Sequence, residues 1–148
     1  MSDREAPIVL GWREWLALPE LGIRAIRAKV DTGARSSALH VESLERFFER
    51  GAPWVRFSVL PTRDAQAAIA CVAEIVDVRP VTDSGGRTTE RPFIRSLLML
   101  AGRSWPIEIN LTRRTHMLFP MLLGRTAMAG RVLVDPGSSF LLGAPASP

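Results

Sequence analysis

Cysteine is almost absent from this chain. Cys71 stands alone, which excludes an intrachain disulfide and any Cys-x-x-Cys redox or metal pair. Its apolar neighbours Ile69, Ala70 and Val72 mark it as a buried structural thiol. Histidine is limited to His40 and His116, and no His-Glu-x-x-His run is present, so the usual helix of a zinc hydrolase is missing. A metal site assembled from His40, His116 and Asp31 stays open as an alternative, although the two imidazoles lie far apart in sequence. The expectation is a protein with no metal and no other cofactor. No glycine-rich loop ends in Gly-Lys-Ser or Gly-Lys-Thr, which argues against nucleotide hydrolysis. No stretch approaches the ~20 apolar residues of a membrane helix. Met1 to Pro7 carries Asp3 and Glu5 where a signal peptide has positive charge followed by an apolar run. A cytoplasmic protein without membrane contact is therefore expected.

Lysine is as scarce as cysteine: Lys29 is the single example, so every other one of the 19 basic residues is an arginine, at a net charge of +4. Arginine's planar fork suits bidentate recognition of carboxylate or phosphate, which points to an acidic partner. Genomic base composition would produce the same bias. A nucleic-acid surface is disfavoured, because the basic residues are scattered and aromatics do not recur among them as stacking platforms. With 148 residues, 47% hydrophobic and 23% charged, the expectation is one domain over residues 1–148 with a single core. The ends, 1–7 and 144–148, are expected to fray.

Among what is present, one segment organises the rest. Ile26, Ala28 and Val30 alternate with Arg27 and Lys29, a strand with one buried face. It delivers Asp31 into the turn Thr32-Gly33-Ala34. Gly33 lets a second backbone or a substrate approach the carboxylate, and Thr32 offers a short hydroxyl. An acid at a strand end followed by Thr-Gly-Ala is what an aspartic-peptidase half-site needs. Asp and Gly also make ordinary turns.

Along the remainder, Ile8 to Gly22 begins with a short strand and carries Trp12 and Trp15, read as core or dimer-edge packing. Ala38 to Val41 is expected as a strand holding His40. Glu42 to Arg50 places Leu44, Phe47 and Phe48 at helical spacing, so a surface helical turn or an irregular loop is expected there, ended by Gly51 and Pro53. Trp54 to Leu60 alternates as a half-buried strand. Ile69 to Val78 and Phe93 to Leu100 read as two long strands joined through a hairpin tip, Thr82 to Glu90, that contains Ser84, Gly85, Gly86 and Arg87. Ala101-Gly102-Arg103 is a turn, and Trp105 to Leu111 a strand in which Pro106 marks an edge or strand-start position. Met121-Leu122-Leu123 runs into Gly124-Arg125 and a short helix, and Arg131 to Asp135 is a last strand. This count of short strands favours a small closed β-barrel.

Several stretches together carry a family resemblance: residues 10–15, the Asp31 segment through His40, Trp54 to Phe57, Glu90-Arg91-Pro92, Met121 to Arg125, and Val134-Asp135-Pro136. The chain resembles the retropepsin-like, RimB-like family labelled "ATP-dependent zinc protease", whose members accompany RimK-type ATP-grasp peptide ligases. The resemblance implies an all-β fold of the acid-protease type with a flap hairpin and one short helix. It implies a homodimer in which Asp31 of each subunit meets at a twofold axis, since one Asp-Thr-Gly per chain is half of what the chemistry needs. Gly33 amides would then hold the carboxylates and Thr32 hydroxyls brace the loops. The implied substrates are acidic peptides, including oligoglutamate tails made by the ligase. A non-catalytic module that binds such a peptide, or the ligase itself, in the same groove is the alternative.

Candidate substrate contacts are Ala34, Arg35, His40, Ser84, Gly85, Gly86, Arg87, Arg91 and Arg125, with Arg113 and Arg114 as further acidic-ligand contacts. Arg35 departs from viral retropepsins, which usually carry an acidic residue there. It would either lower the pKa values of the paired acids or bind an acidic side chain. His40 also reads as a packed, hydrogen-bonded core residue, Arg125 as a brace of the dimer, and the Gly85-Gly86 hairpin as either a flap or an ordinary mobile hairpin. Ser84 lacks a base that would make it a nucleophile.

Overall fold

Successive side chains of a strand point to opposite faces, and here that alternation builds a closed wall. The computed structural model describes residues 6–62, 65–113 and 118–143. Residues 1–5 and 144–148, Arg114 and His116 lie outside that range. The barrel strands are β2 (Arg13–Leu18), β3 (Ile23–Val30), β4 (Ser37–Val41), β9 (Thr88–Leu100), β10 (Arg103–Arg113) and β11 (Met121–Leu123). Their order is β10-β4-β11-β3-β2-β9, and β9 pairs again with β10, from Leu100↔Arg103 to Phe93↔Asn110, which closes the ring. Leu16 and Leu18 of β2, Ile26 and Ala28 of β3, Leu39, Ile94, Leu98, Ile109, Leu111, Met121 and Leu123 fill the interior, almost without solvent contact. Closure leaves no free edge within this ring. The small closed all-β barrel expected from the strand count is the observed fold.

Two smaller sheets sit on the barrel. β1 (Ile8–Leu10) pairs in parallel with β12 (Val132–Val134). β5 (Ser43–Glu49), β6 (Ala52–Val59) and β7 (Ile69–Glu74) form an antiparallel sheet whose inner face, Val55, Phe57, Val59 and Cys71, joins the core. β8 (Asp77–Thr82) lies beside β9 and forms the arm of a projecting hairpin. One helical turn, α1 (Arg125–Met128), follows β11.

Two expectations are corrected. Glu42 to Arg50 is neither helix nor loop: β5 pairs with β6 along its whole length, from Ser43↔Ser58 to Glu49↔Ala52. An isolated helix of this length is below the ~12–15 residues at which helices become marginally stable in water, whereas β6 offers a complete ladder. The turn between them is Arg50-Gly51, both with positive φ, at 52° and 78°, the backbone that a tight two-residue hairpin requires. Gly51 is thus the centre of a hairpin, not the end of a helix. Likewise Ile69 to Val78 is two strands. At Ile75 and Val76 the chain leaves β6, with the Ile75 amide on Pro53 O at 2.9 Å, and passes to β9, with the Val76 amide on Phe93 O at 2.8 Å. The two tryptophans do not enter the barrel interior. Arg13 lies between Trp12 and Phe140, 4.6 and 4.8 Å from their ring centres, and Trp15 stacks on Phe140.

Cys71 is buried as expected, its thiol donating to Leu21 O at 3.4 Å, and burial pushes its pKa up to about 11. At pH 8 only on the order of one thiol in 10³ is then thiolate, the reactive form. Cys71 should stay unmodified by a thiol–disulfide reagent in the native protein and react at once in denaturant. Rapid native labelling would contradict this.

Candidate functional site

Asp31 follows the last residue of β3, where Val30 donates its amide to Trp12 O at 2.8 Å and Asp31 donates to Leu123 O at 2.9 Å. The strand pairing therefore places the aspartate at the mouth of the barrel, beside the end of β11. Its Oδ1 accepts from the Gly33 amide at 2.9 Å and the Ala34 amide at 3.2 Å. Oδ2 takes no hydrogen bond from the described residues, which leaves it to a water or a substrate. Thr32 and Gly33 are exposed.

A second loop locks this one. Arg125 donates its amide to Ala34 O at 2.7 Å, and Thr126 donates both its amide and its hydroxyl to Arg35 O, at 3.1 and 2.9 Å. The Arg125 guanidinium reaches Thr32 O at 3.4 Å, so within this chain it braces the aspartate loop. Gly124 donates its amide to the buried Ser37 hydroxyl at 3.0 Å. A Cβ at Gly124 would lie 2.5 Å from the carbonyl of Ser36, too close for any side chain unless the loops part. Gly124→Ala is expected to cost about 1–3 kcal/mol, the range for overpacking, and to displace the aspartate loop. A melting transition equal to the parent's would contradict this.

The projecting hairpin faces the same loop. A groove of about 610 Å³ is lined by Gly33, Ala34 and Arg35 on one side and by β8, from Arg79 to Thr82, on the other. Asp83 holds the hairpin tip, its Oδ1 accepting from the Gly85 and Arg87 amides at 2.9 and 3.0 Å. Ser84, Gly85, Gly86 and Arg87 occupy that exposed tip, beyond the groove wall.

Arg91 lies at the base of the hairpin, where its guanidinium donates to Thr89 Oγ1 at 3.1 Å and Asn110 Oδ1 at 3.0 Å. Burial pushes its pKa down from the usual arginine value, opposed by the charge of Asp83. Asn110 in turn donates to Ser37 O at 2.9 Å. A polar path thus runs from hairpin to aspartate loop, Arg91 to Asn110 to Ser37 to Gly124. His40 is buried on β4, its amide on Pro120 O at 2.8 Å, and does not line the groove. Arg113 reaches Leu44 O at 3.3 Å. Among the described residues no three His, Cys, Asp or Glu side chains are grouped to hold a metal.

Sequence reasoning misses Arg79, Phe93 and Glu108, which all line the groove. Arg79 donates through Nε to Asp77 Oδ2 at 2.7 Å and through Nη1 to Glu108 Oε1 at 2.8 Å, and its guanidinium lies 4.5 Å from the Phe93 ring centre. The hydrogen bonds to Glu108 and then Asp77 hold the Arg79 pKa above its usual value, and the bond from Arg79 holds that of Asp77 down. Alternation within one strand carries no signal for this pairing: Arg79 of β8 and Glu108 of β10 meet across β9, through the register of β8 on β9 and of β9 on β10.

Comparison with known proteins agrees with this architecture. Residues 9–145 match the model of the RimB-like family, described as the retropepsin-like aspartic endopeptidase RimB. A probable alpha-L-glutamate ligase of Shewanella pealeana is 42% identical over 144 residues, 97% of this chain and 31% of that protein. One from Parasynechococcus marenigrum is 44% identical over 137 residues, 92% of this chain and 29% of that protein. The chain therefore spans about a third of the length of these curated relatives. A solved Legionella pneumophila protein of unknown function, from the DUF785 group, superposes with a TM-score of 0.75 at 29% identity, covering 93% of this chain and 99% of that one. No helix among the described residues is long and apolar enough to cross a membrane.

Proposed function

Since the chain belongs to the RimB-like family of retropepsin-like aspartic endopeptidases, we propose that it is an aspartic peptidase that works as a homodimer, one Asp31 from each subunit. Its substrates are acidic, oligoglutamate-like tails or peptides, and its work is tied to that of an ATP-grasp glutamate ligase. The observation that supports this reading is the Asp31 carboxylate itself. It sits at the barrel mouth on an exposed loop, one oxygen fixed by the Gly33 and Ala34 amides and the other open, beside a groove walled by a hairpin.

One carboxylate is insufficient for this chemistry. Two carboxylates ~3 Å apart share a single proton, because like charges at that distance cannot both ionise. The ionised partner takes a proton from water as the oxygen attacks the peptide carbonyl, while the protonated partner donates to the carbonyl oxygen. Collapse of the tetrahedral intermediate breaks the C–N bond, and the amine leaves with a proton from the dyad. In this scheme the exposed Thr32-Gly33 turn is where the second copy packs.

The names of the relatives favour a second reading. Proteins named as ligases contain a region like this chain within a longer whole, as would suit a module that holds an acidic tail without cutting it. Incubating the protein with an oligoglutamate-tailed peptide and following products by mass spectrometry separates the two. New termini within the tail support the peptidase; saturable binding without products supports the module.

A further inference from the structure

Beside the groove lies a second cavity of about 240 Å³, and Arg35, Ser36, Arg79 and Glu108 line both. We propose that this smaller cavity is a subsite for an acidic side chain, with Arg35 as its reader and Glu108 as a resident carboxylate that already occupies Arg79. The inference deepens the reading of the groove as a site for acidic peptides and rests on it.

The charges around the cavity decide the roles. Arg79 is spent on its own protein, with Nε on Asp77 and both terminal nitrogens on Glu108, at 2.8 and 3.4 Å. The Phe93 ring beneath its plane holds it there. Such a bidentate pair uses the fork that a ligand carboxylate would need. Glu108 in the lining and Asp77 outside it thus leave Arg79 no free charge for an acidic ligand. Arg35 is the other cation of the lining, and its side chain is exposed, with no hydrogen bond or ion pair to the described residues. It is therefore the open cation of the cavity. Its backbone is fixed by Thr126, so the guanidinium projects from a rigid point.

This arrangement sets selectivity by balance. Removing the charge of Arg35 leaves the lining only the Arg79–Glu108 ion pair; removing that of Glu108 adds net positive charge and frees the terminal nitrogens of Arg79. A ligand with a neutral side chain of the same shape feels neither change. Because the Arg79 and Glu108 side chains are about two-fifths exposed, solvent screens each effect, and steps of about tenfold are expected rather than thousands.

The test measures binding of fluorescein-labelled hexaglutamate and hexaglutamine peptides by anisotropy, in the full chain carrying Asp31→Asn so that the probes stay intact. Arg35→Gln should weaken hexaglutamate binding about tenfold or more, and Glu108→Gln should strengthen it several-fold, a gain that misfolding cannot mimic. Hexaglutamine binding should not move. Variants that change both peptides alike, or neither, overturn the subsite, as does a parent that does not bind hexaglutamate. Cleavage of hexaglutamate by the unsubstituted protein is assayed in parallel. If it stays intact while the opposite shifts are seen, the subsite stands and the peptidase reading falls.

Discussion

Replacing Asp31 by Asn is expected to lower hydrolysis of an oligoglutamate-tailed peptide by at least about 10³-fold, with the melting transition unmoved. The substitution keeps the shape of the side chain and an oxygen able to accept from the Gly33 and Ala34 amides, so the loop retains its lock on Gly124 and Arg125. What it removes is the proton. An amide neither takes a proton from water nor delivers one to a carbonyl, and positioned acid–base groups alone contribute about 10²–10⁴-fold. In a homodimer each substitution counts twice at the dyad, which places the loss at or beyond the upper half of that range. Single-turnover hydrolysis beside a thermal melt measures both halves of the prediction. Activity within tenfold of the parent would remove Asp31 from the mechanism.

The largest effect on stability is expected at Glu14. This carboxylate is fully buried on β2, in phase with Leu16 and Leu18. Its Oε2 accepts from the amides of Gly11 and Leu141, at 2.7 and 2.9 Å, and Oε1 accepts from Leu142 at 3.1 Å. It thereby ties the segment after β12 to the corner between β1 and β2. The same corner bears on the site, because Trp12 O receives the Val30 amide just before Asp31. Glu14→Leu fits the apolar side of the strand but leaves the buried Gly11 amide and the part-buried Leu141 and Leu142 amides without their acceptor, and breaking a polar set centred on a buried carboxylate costs about 3–5 kcal/mol. For a chain of this size the melting temperature should fall by roughly 10 °C. Glu14→Gln retains an accepting oxygen and should lose about half as much. Urea denaturation of the two variants checks the order; a Leu variant as stable as the parent would show that the amides find other partners.

Glu14 also marks the limit of what the amino-acid sequence discloses. An acid in step with two leucines on a strand is a visible anomaly, yet its acceptor role is hidden. Leu141 and Leu142 lie 127 and 128 residues away, and the contact is made by their backbone. Asp31 is the opposite case. Alternation through Ile26, Ala28 and Val30, followed by turn residues, encodes the local geometry, and β3 does end at the Asp31 turn. The hairpin is legible for the same reason: Asp83, Gly85 and Gly86 encode the turn locally.

β5 is ambiguous in sequence because Leu44, Phe47 and Phe48 fit a helical stripe as well as a sheet. Only the Arg50-Gly51 turn and the partner β6 decide between them. Arg79 and Glu108 escape notice because their pairing crosses β9 and depends on register, which alternation within one strand cannot fix. Arg91 is legible in location, at the base of the hairpin, while its engagement with Asn110 depends on the closure of β9 onto β10.

A metal-free acid–base pair formed by two copies of Asp31 is the core of the proposed mechanism. It is tested most directly by measuring peptide hydrolysis per subunit across a dilution series, with and without a strong chelator. Specific activity is expected to fall on dilution as the dimer dissociates, and the chelator to change nothing at any concentration. Activity per subunit that stays constant in a protein shown to be monomeric, or activity abolished by the chelator and restored by added zinc, would contradict it.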